Sequence, residues 1–162
     1  MNWQEVIESP YLRNLPFKIE TNEFGEIVMN PVKIGHSIFQ SRISSLMQIM
    51  RPEGVSMVEC AIKTRKGTKV ADAAWASMAI IEKIKDETDA SIAPEVCVEV
   101  VSMSNTNKEM DGKRELYFEK GASEVWICDE YGDMKFFDDA GRIEKSAIFP
   151  DFPKKIKIGS EN

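Results

Sequence analysis

The sequence is poor in the residues that build familiar small-molecule sites. It holds one histidine and three cysteines among 162 residues, and no Cys/His spacing of a metal-binding motif. It has no glycine-rich phosphate loop and no Ser/His/Asp order, which leaves a small-molecule enzyme with little support. Cys60, Cys97 and Cys128 are odd in number and lie inside apolar runs, which reads as reduced core residues of a cytoplasmic protein. The longest stretch free of Asp, Glu, Lys and Arg, residues 73–81, is about half of what a bilayer span needs. The first residues lack the basic-then-apolar pattern of a signal peptide. Positive charge is also short: 21 Lys and Arg stand against 27 Asp and Glu, for a net charge of −6. That balance excludes a uniformly basic surface for indiscriminate nucleic-acid binding.

What is present is a chain of ordinary domain size, 43% hydrophobic, without repeats or a Pro/Gly/Ser-rich linker. A single domain over 1–162 is expected. Residues 18–30 read as a hairpin turning at Asn22-Glu23-Phe24-Gly25. From about 35 to 50, apolar residues recur at helical spacing. Strands are expected over 55–62, 70–76 and 96–101, with a basic turn around Gly67. Residues 80–86 fit either a helical turn or a loop. The polar stretch 102–107 leads into a helix over 108–120, stopped by Gly121. Strands over 124–129 and 133–138 form a hairpin, Asp139-Ala140-Gly141 makes a turn, and 154–158 reads as an edge strand. This order implies an α/β (α+β) fold with one mixed sheet.

Three charged residues are out of place in this pattern. Glu99 interrupts the apolar run 96–101, where a lone carboxylate costs several kcal/mol unless it is paired. It is either a solvated or structurally paired residue, or a ligand. Asp72 is the only charge in Val70-Ala71-Asp72-Ala73-Ala74-Trp75, so it marks a turn-like strand end or a ligand. Lys113 shares an inward helix face with Met110 and Tyr117, either snorkelling to water or serving a site. Together they form a minimal kit for metal-assisted phosphate chemistry. Two carboxylates on neighbouring strands offer hard oxygen ligands, and an ammonium offsets charge on a phosphate.

Six ordered blocks carry a resemblance. They are 24–31 (a hairpin ending in Pro31), His36 at a helix start, Val70-Ala71-Asp72, the strand 94–102 around Glu99, Lys113-Arg114-Glu115-Leu116-Tyr117, and 121–129. On these blocks, over about residues 19–158, the chain resembles the PD-(D/E)XK nuclease superfamily. More closely, it resembles the Uma-type restriction endonuclease family, long grouped as a domain of unknown function. The resemblance implies a restriction-endonuclease-like mixed β-sheet core flanked by helices, with additional antiparallel hairpins. It implies Asp72 and Glu99 as ligands of Mg²⁺ or Mn²⁺, and hydrolysis of DNA phosphodiester bonds. Val101 stands where the superfamily lysine is expected, and Lys113 is the matching substitute. Gln40 stands where many such enzymes carry a helix Glu; Ala71 replaces a Pro, Val125 an aromatic, and Ser104-Asn105 a Pro-Ser pair. Val101 and Gln40 motivate the alternative of a catalytically inactive binding module on the same fold.

Around this trio, His36, Gln40 and Tyr117 are candidates for supporting contacts, and Glu59 for an extra acid. Lys63, Arg65, Lys66 and Lys69 form an acid-free basic turn leading to Asp72, suited either to duplex phosphates or to a solvated hairpin tip. A second, weaker basic cluster is Lys154, Lys155 and Lys157. The expected partner is double-stranded DNA, without membrane contact. Cutting both strands suggests a homodimer.

Overall fold

The computed structural model describes residues 1–102 and 105–159. Ser104 of the polar loop therefore lies outside the described residues. The elements run α1 (Trp3–Glu8), β1 (Phe17–Thr21), β2 (Ile27–Pro31), α2 (Ile34–Met50), β3 (Val55–Thr64), β4 (Gly67–Ala76), α3 (Met78–Ile84), β5 (Val96–Val100), α4 (Asn107–Glu119), β6 (Glu124–Cys128), β7 (Met134–Asp138) and β8 (Gly141–Ile143). β1 and β2 form a separate antiparallel hairpin. The other strands form one sheet in sequence order, β3 to β8. Among the described strands, β5 and β6 alone pair in parallel, and α4 makes the crossover between them. The fold is mixed α+β, as expected.

Helix α2 forms because its apolar residues recur every turn. Phe39, Ile43 and Met47 are buried against Trp75, Val96, Val98 and Trp126 on one face of the sheet. Trp126 also meets Phe136, Phe149 and Phe152 at ring-centroid distances of 4.6–5.6 Å, mostly edge to face. The opposite face packs Cys60, Ile62, Ala74, Cys97 and Val125 with Tyr117 of α4. Helix α4 starts at a capping box in which Thr106 and Glu109 satisfy each other's backbone N–H groups. All three cysteines are buried and free of disulfides, matching the core reading.

The structure corrects the tail. Residues 154–158 do not add an edge strand; they make one isolated bridge, Asp133 to Lys155. Pro153 brings no N–H, and the backbone groups that follow are spent on the β6–β7 turn, through Met134 N to Lys154 O and Ile156 N to Gly132 O, both 2.8 Å. A Cβ on Gly132 would lie 2.2 Å from Ile156 O, so only glycine admits this close approach. Residues 78–84 resolve the ambiguity at 80–86 as helix. Helix α1 and strand β8 lie where no element was expected.

The hairpin β1–β2 docks through the basic turn. Gly67, at φ +86°, lies so close to Thr21 O and Asn22 O that a Cβ would come within 2.5 Å of each. Thr68 N donates to Thr21 Oγ1 at 2.8 Å, Lys69 Nζ to Thr21 O at 2.8 Å, and Val70 N to Glu20 Oε2 at 2.7 Å. These bonds bring the polar face of β1 against β4.

Candidate active site

Asp72 is not at a strand end. It lies inside β4, at a break in the β3–β4 ladder. Val58 pairs with Ala73 and Cys60 with Ala71, while Glu59, opposite Asp72, takes the left-handed φ of 53°. The break changes which side the chain faces. Ala71 packs in one core cluster and Ala73 in the other, although regular alternation would put both on one face. On its other side, β4 pairs with β5 up to Ala73–Val98. One further step in that register brings Asp72 opposite Glu99.

Both carboxylates are almost fully buried and meet on one cation. Lys18 Nζ, on β1, is 3.0 Å from Asp72 Oδ1 and 3.0 Å from Glu99 Oε2. The two carboxylate oxygens are therefore no further apart than twice that distance. Asp72 Oδ2 also accepts from Val100 N at 2.7 Å and lies 3.3 Å from His36 Nε2. Glu99 Oε1 accepts from Tyr117 OH at 2.6 Å and from Lys113 Nζ at 3.2 Å. Lys113 Nζ also donates to Glu20 Oε2 at 2.7 Å. The result is a continuous chain of three carboxylates and two ammoniums, joined to His36 and Tyr117.

Their ionisation follows from this network. Burial works against the charge on Lys18, but Glu99, Asp72 and Glu20 outweigh it and raise its pKa above the ordinary lysine value. Burial pushes Asp72 up, yet Lys18, the bond from His36 and the Val100 N–H more than reverse this and hold it below the ordinary Asp value. Glu20 behaves in the same way: burial is overcome by Lys113 and Lys18, and its pKa is lowered. Glu99 differs. Burial dominates, Lys113 and Lys18 only partly offset it, and neighbouring Asp72 and Glu20 add to the rise. Burial, with Glu99 beside it, also keeps the Tyr117 hydroxyl protonated.

Lys18, Glu20, His36, Glu99 and Lys113 of the network line a cleft of about 1150 Å³ between β1–β2, the start of α2, the end of β5 and helix α4, whereas Asp72 and Tyr117 are not part of this lining. Its lining carries seven Lys and Arg side chains against five Glu, the reverse of the balance in the whole chain. Arg65, Lys66 and Lys69 of the basic turn lie on this lining; Lys63 does not. Arg65 is engaged by Glu119 at 2.9 Å and Glu115 at 3.2 Å. The exposed Lys154 and Lys155 are ion-paired with Glu144 and Asp133, at 3.6 and 3.5 Å.

The expected trio Asp72, Glu99 and Lys113 converges, and His36 and Tyr117 contact it. Gln40 is not part of the cleft lining, and exposed Glu59 bears on the site through backbone conformation. Lys18 and Glu20 were missed. On β1 they alternate with Ile19 and Thr21, which reads as the solvated face of a hairpin. The available signal was two charges at i and i+2 on the strand just before the block 24–31.

A hard divalent ion can be tested against these residues. Among the described residues, no three His, Cys, Asp or Glu side chains stand as a ready ligand cluster. Asp72 and Glu99 nevertheless supply the oxygen chemistry such an ion takes, and their shared position already holds a cation, the Lys18 ammonium. His36 Nδ1 is buried without a hydrogen-bond partner among the described residues, leaving a polar group beside the cleft for a further contact. The residues fit in donor chemistry and charge, with Lys18 as the group that must yield.

Comparison with known proteins agrees with this architecture. The chain is similar to a crystal structure titled as a putative nuclease belonging to DUF820 from Anabaena variabilis ATCC 29413. The TM-score is 0.70 at 16% identity, covering 98% of this chain and 95% of that one, a likeness of fold. No curated protein matches the chain. The described helices include none long and apolar enough to cross a membrane. The family model Uma2, described as "Putative restriction endonuclease", matches residues 3–144, nearly the whole chain, and the protein therefore belongs to that family.

Proposed function

We propose that the protein is a divalent-metal-dependent endonuclease that hydrolyses DNA phosphodiester bonds, with Asp72 and Glu99 as ligands of Mg²⁺ or Mn²⁺. The supporting observation is the convergence of these two carboxylates on a single cation, Lys18, which with Glu99 lines a cleft rimmed by positive charge. When bound, such an ion supplies Lewis acidity and an activated water. The remaining work falls to the chain. Lys113 holds the Glu99 carboxylate in place and offers its ammonium to the scissile phosphate. Tyr117 fixes Glu99 from the core side. Val100 N–H and His36 orient Asp72. Lys66, Lys69 and Lys108 on the lining hold flanking phosphates without reading sequence. Cleavage of both strands of a duplex calls for two copies of the chain, so the acting form is a homodimer.

Nicking of supercoiled plasmid with Mg²⁺ or Mn²⁺ tests this reading. Activity is expected with either ion, lost with chelator, and lost in Asp72→Ala and Glu99→Ala. Undiminished nicking by either variant overturns the assignment. One observation favours a second reading: Lys18 already bridges the two carboxylates. A binding module that has lost catalysis would bind DNA while taking up no Mn²⁺ in calorimetry.

A further inference from the structure

Lys18 belongs to none of the motifs that carry the resemblance, yet it makes the central contact of the site. Its Nζ is equidistant, at 3.0 Å, from the facing oxygens of Asp72 and Glu99, and its side chain is 13% exposed. A divalent ion taking both oxygens needs that position. The surrounding charges sharpen the conflict. Glu20, Asp72 and Glu99 against Lys18 and Lys113 leave one net negative charge. A divalent ion held beside an unmoved Lys18 would set two cations in contact.

We propose that Lys18 is an intramolecular counter-cation that a divalent ion must displace, so that this lysine sets the cation affinity of the site. The inference rests on the metal-dependent reading above. It also gives Lys18 a second position. The residue lies on the cleft lining, so an ammonium released from the carboxylates moves into the space where a DNA phosphate binds. Cation binding thereby adds a positive group to the cleft.

The test is Mn²⁺ binding, read from the electron paramagnetic resonance amplitude of the free ion, on the full chain without DNA. Lys18→Met is expected to bind Mn²⁺ about tenfold or more tightly than wild type, since a competing unit charge at contact distance is gone. Lys18→Arg keeps the charge and is expected to stay near wild type, while Asp72→Asn is expected to lose binding. If Lys18→Met binds no better than wild type while Asp72→Asn is lost, the counter-cation role fails and the metal-site reading stands. If Asp72→Asn binds as wild type does, or neither wild type nor Lys18→Met binds, both fail. Should Lys18→Met not fold, ¹⁵N spectra of lysine amines in the wild-type protein decide the matter. The Lys18 signal, assigned by its absence in Lys18→Arg, is expected to shift or broaden with Mg²⁺; a stationary signal at saturation overturns the proposal.

Discussion

Two glutamates of the central sheet are equally hidden and differ in what surrounds them. Glu124 is 3% exposed and Glu99 is 2% exposed. Among the described residues, Glu124, which opens β6, is met by neutral donors in fixed places. These are Trp126 Nε1 at 2.9 Å, Ala147 N at 3.0 Å and Ile148 N at 3.1 Å. It ties the segment after β8 to the sheet. Glu99 is met by two ammoniums on flexible stems and a hydroxyl, and it faces a cleft. Burial of a carboxylate is thus no mark of function by itself. The mark is burial against partners that can exchange for something else.

The contrast breaks most sharply at Glu124. Glu124→Ala strands the buried Trp126 N–H and two half-buried backbone N–H donors and is expected to cost about 2–4 kcal/mol, read as a lower urea midpoint. Should it retain wild-type stability, the anchor role is lost. Glu99→Gln is the mirror case. Nicking activity is expected to fall about a hundredfold or more, in line with the loss of one group that positions reacting charge. The fold is expected to survive. Because the Glu99 pKa is raised, burying it charged opposes folding near neutrality, and a neutral amide relieves that opposition. Its melting temperature at pH 7 should therefore hold or rise, whereas a fall as large as that of Glu124→Ala would erase the distinction.

Glu20 gives a smaller, pH-dependent effect. Its folded pKa is lowered, so it contributes stability that is complete above the ordinary carboxyl range. That contribution is lost as pH falls from about 4.3 towards the folded value. Glu20→Gln should flatten the acid limb of melting temperature against pH; an unchanged limb counts against the pairing with Lys113 and Lys18. Least affected are the thiols. Burial pushes Cys60 up to about 12, and burial with nearby acids does the same for Cys128. Iodoacetamide at neutral pH should leave both unmodified until the chain is unfolded, as followed by mass spectrometry.

The residues legible from sequence were those that violated their surroundings. Asp72 in an alanine-rich strand and Glu99 in a valine-rich one stood out against their neighbours, and the resemblance implied their role as ligands. Helix α2 was legible because its apolar residues recur at helical spacing, and strand β5 because it is a nearly continuous β-branched apolar run. Lys18 and Glu20 broke no local rule, since a hairpin with alternating charges is ordinary. Their role exists only through contacts with residues distant in sequence, which no local pattern records. The same holds for Glu59: a left-handed residue across from Asp72 is a property of the assembled ladder, and its sequence neighbours Val58 and Cys60 give no sign of it.

The hairpin that supplies Lys18 and Glu20 has a consequence in time as well as in space. Lys18 reaches Glu99 across 81 residues of chain, and Glu20 reaches Lys113 across 93. Closing loops of that length is slow relative to forming a local helix or turn. During synthesis, Glu99 and Lys113 emerge long after the hairpin that completes them. The charged cage thus assembles only once the sheet is in place to receive β1, and a partly folded chain carries the strands of the site without its cations in position.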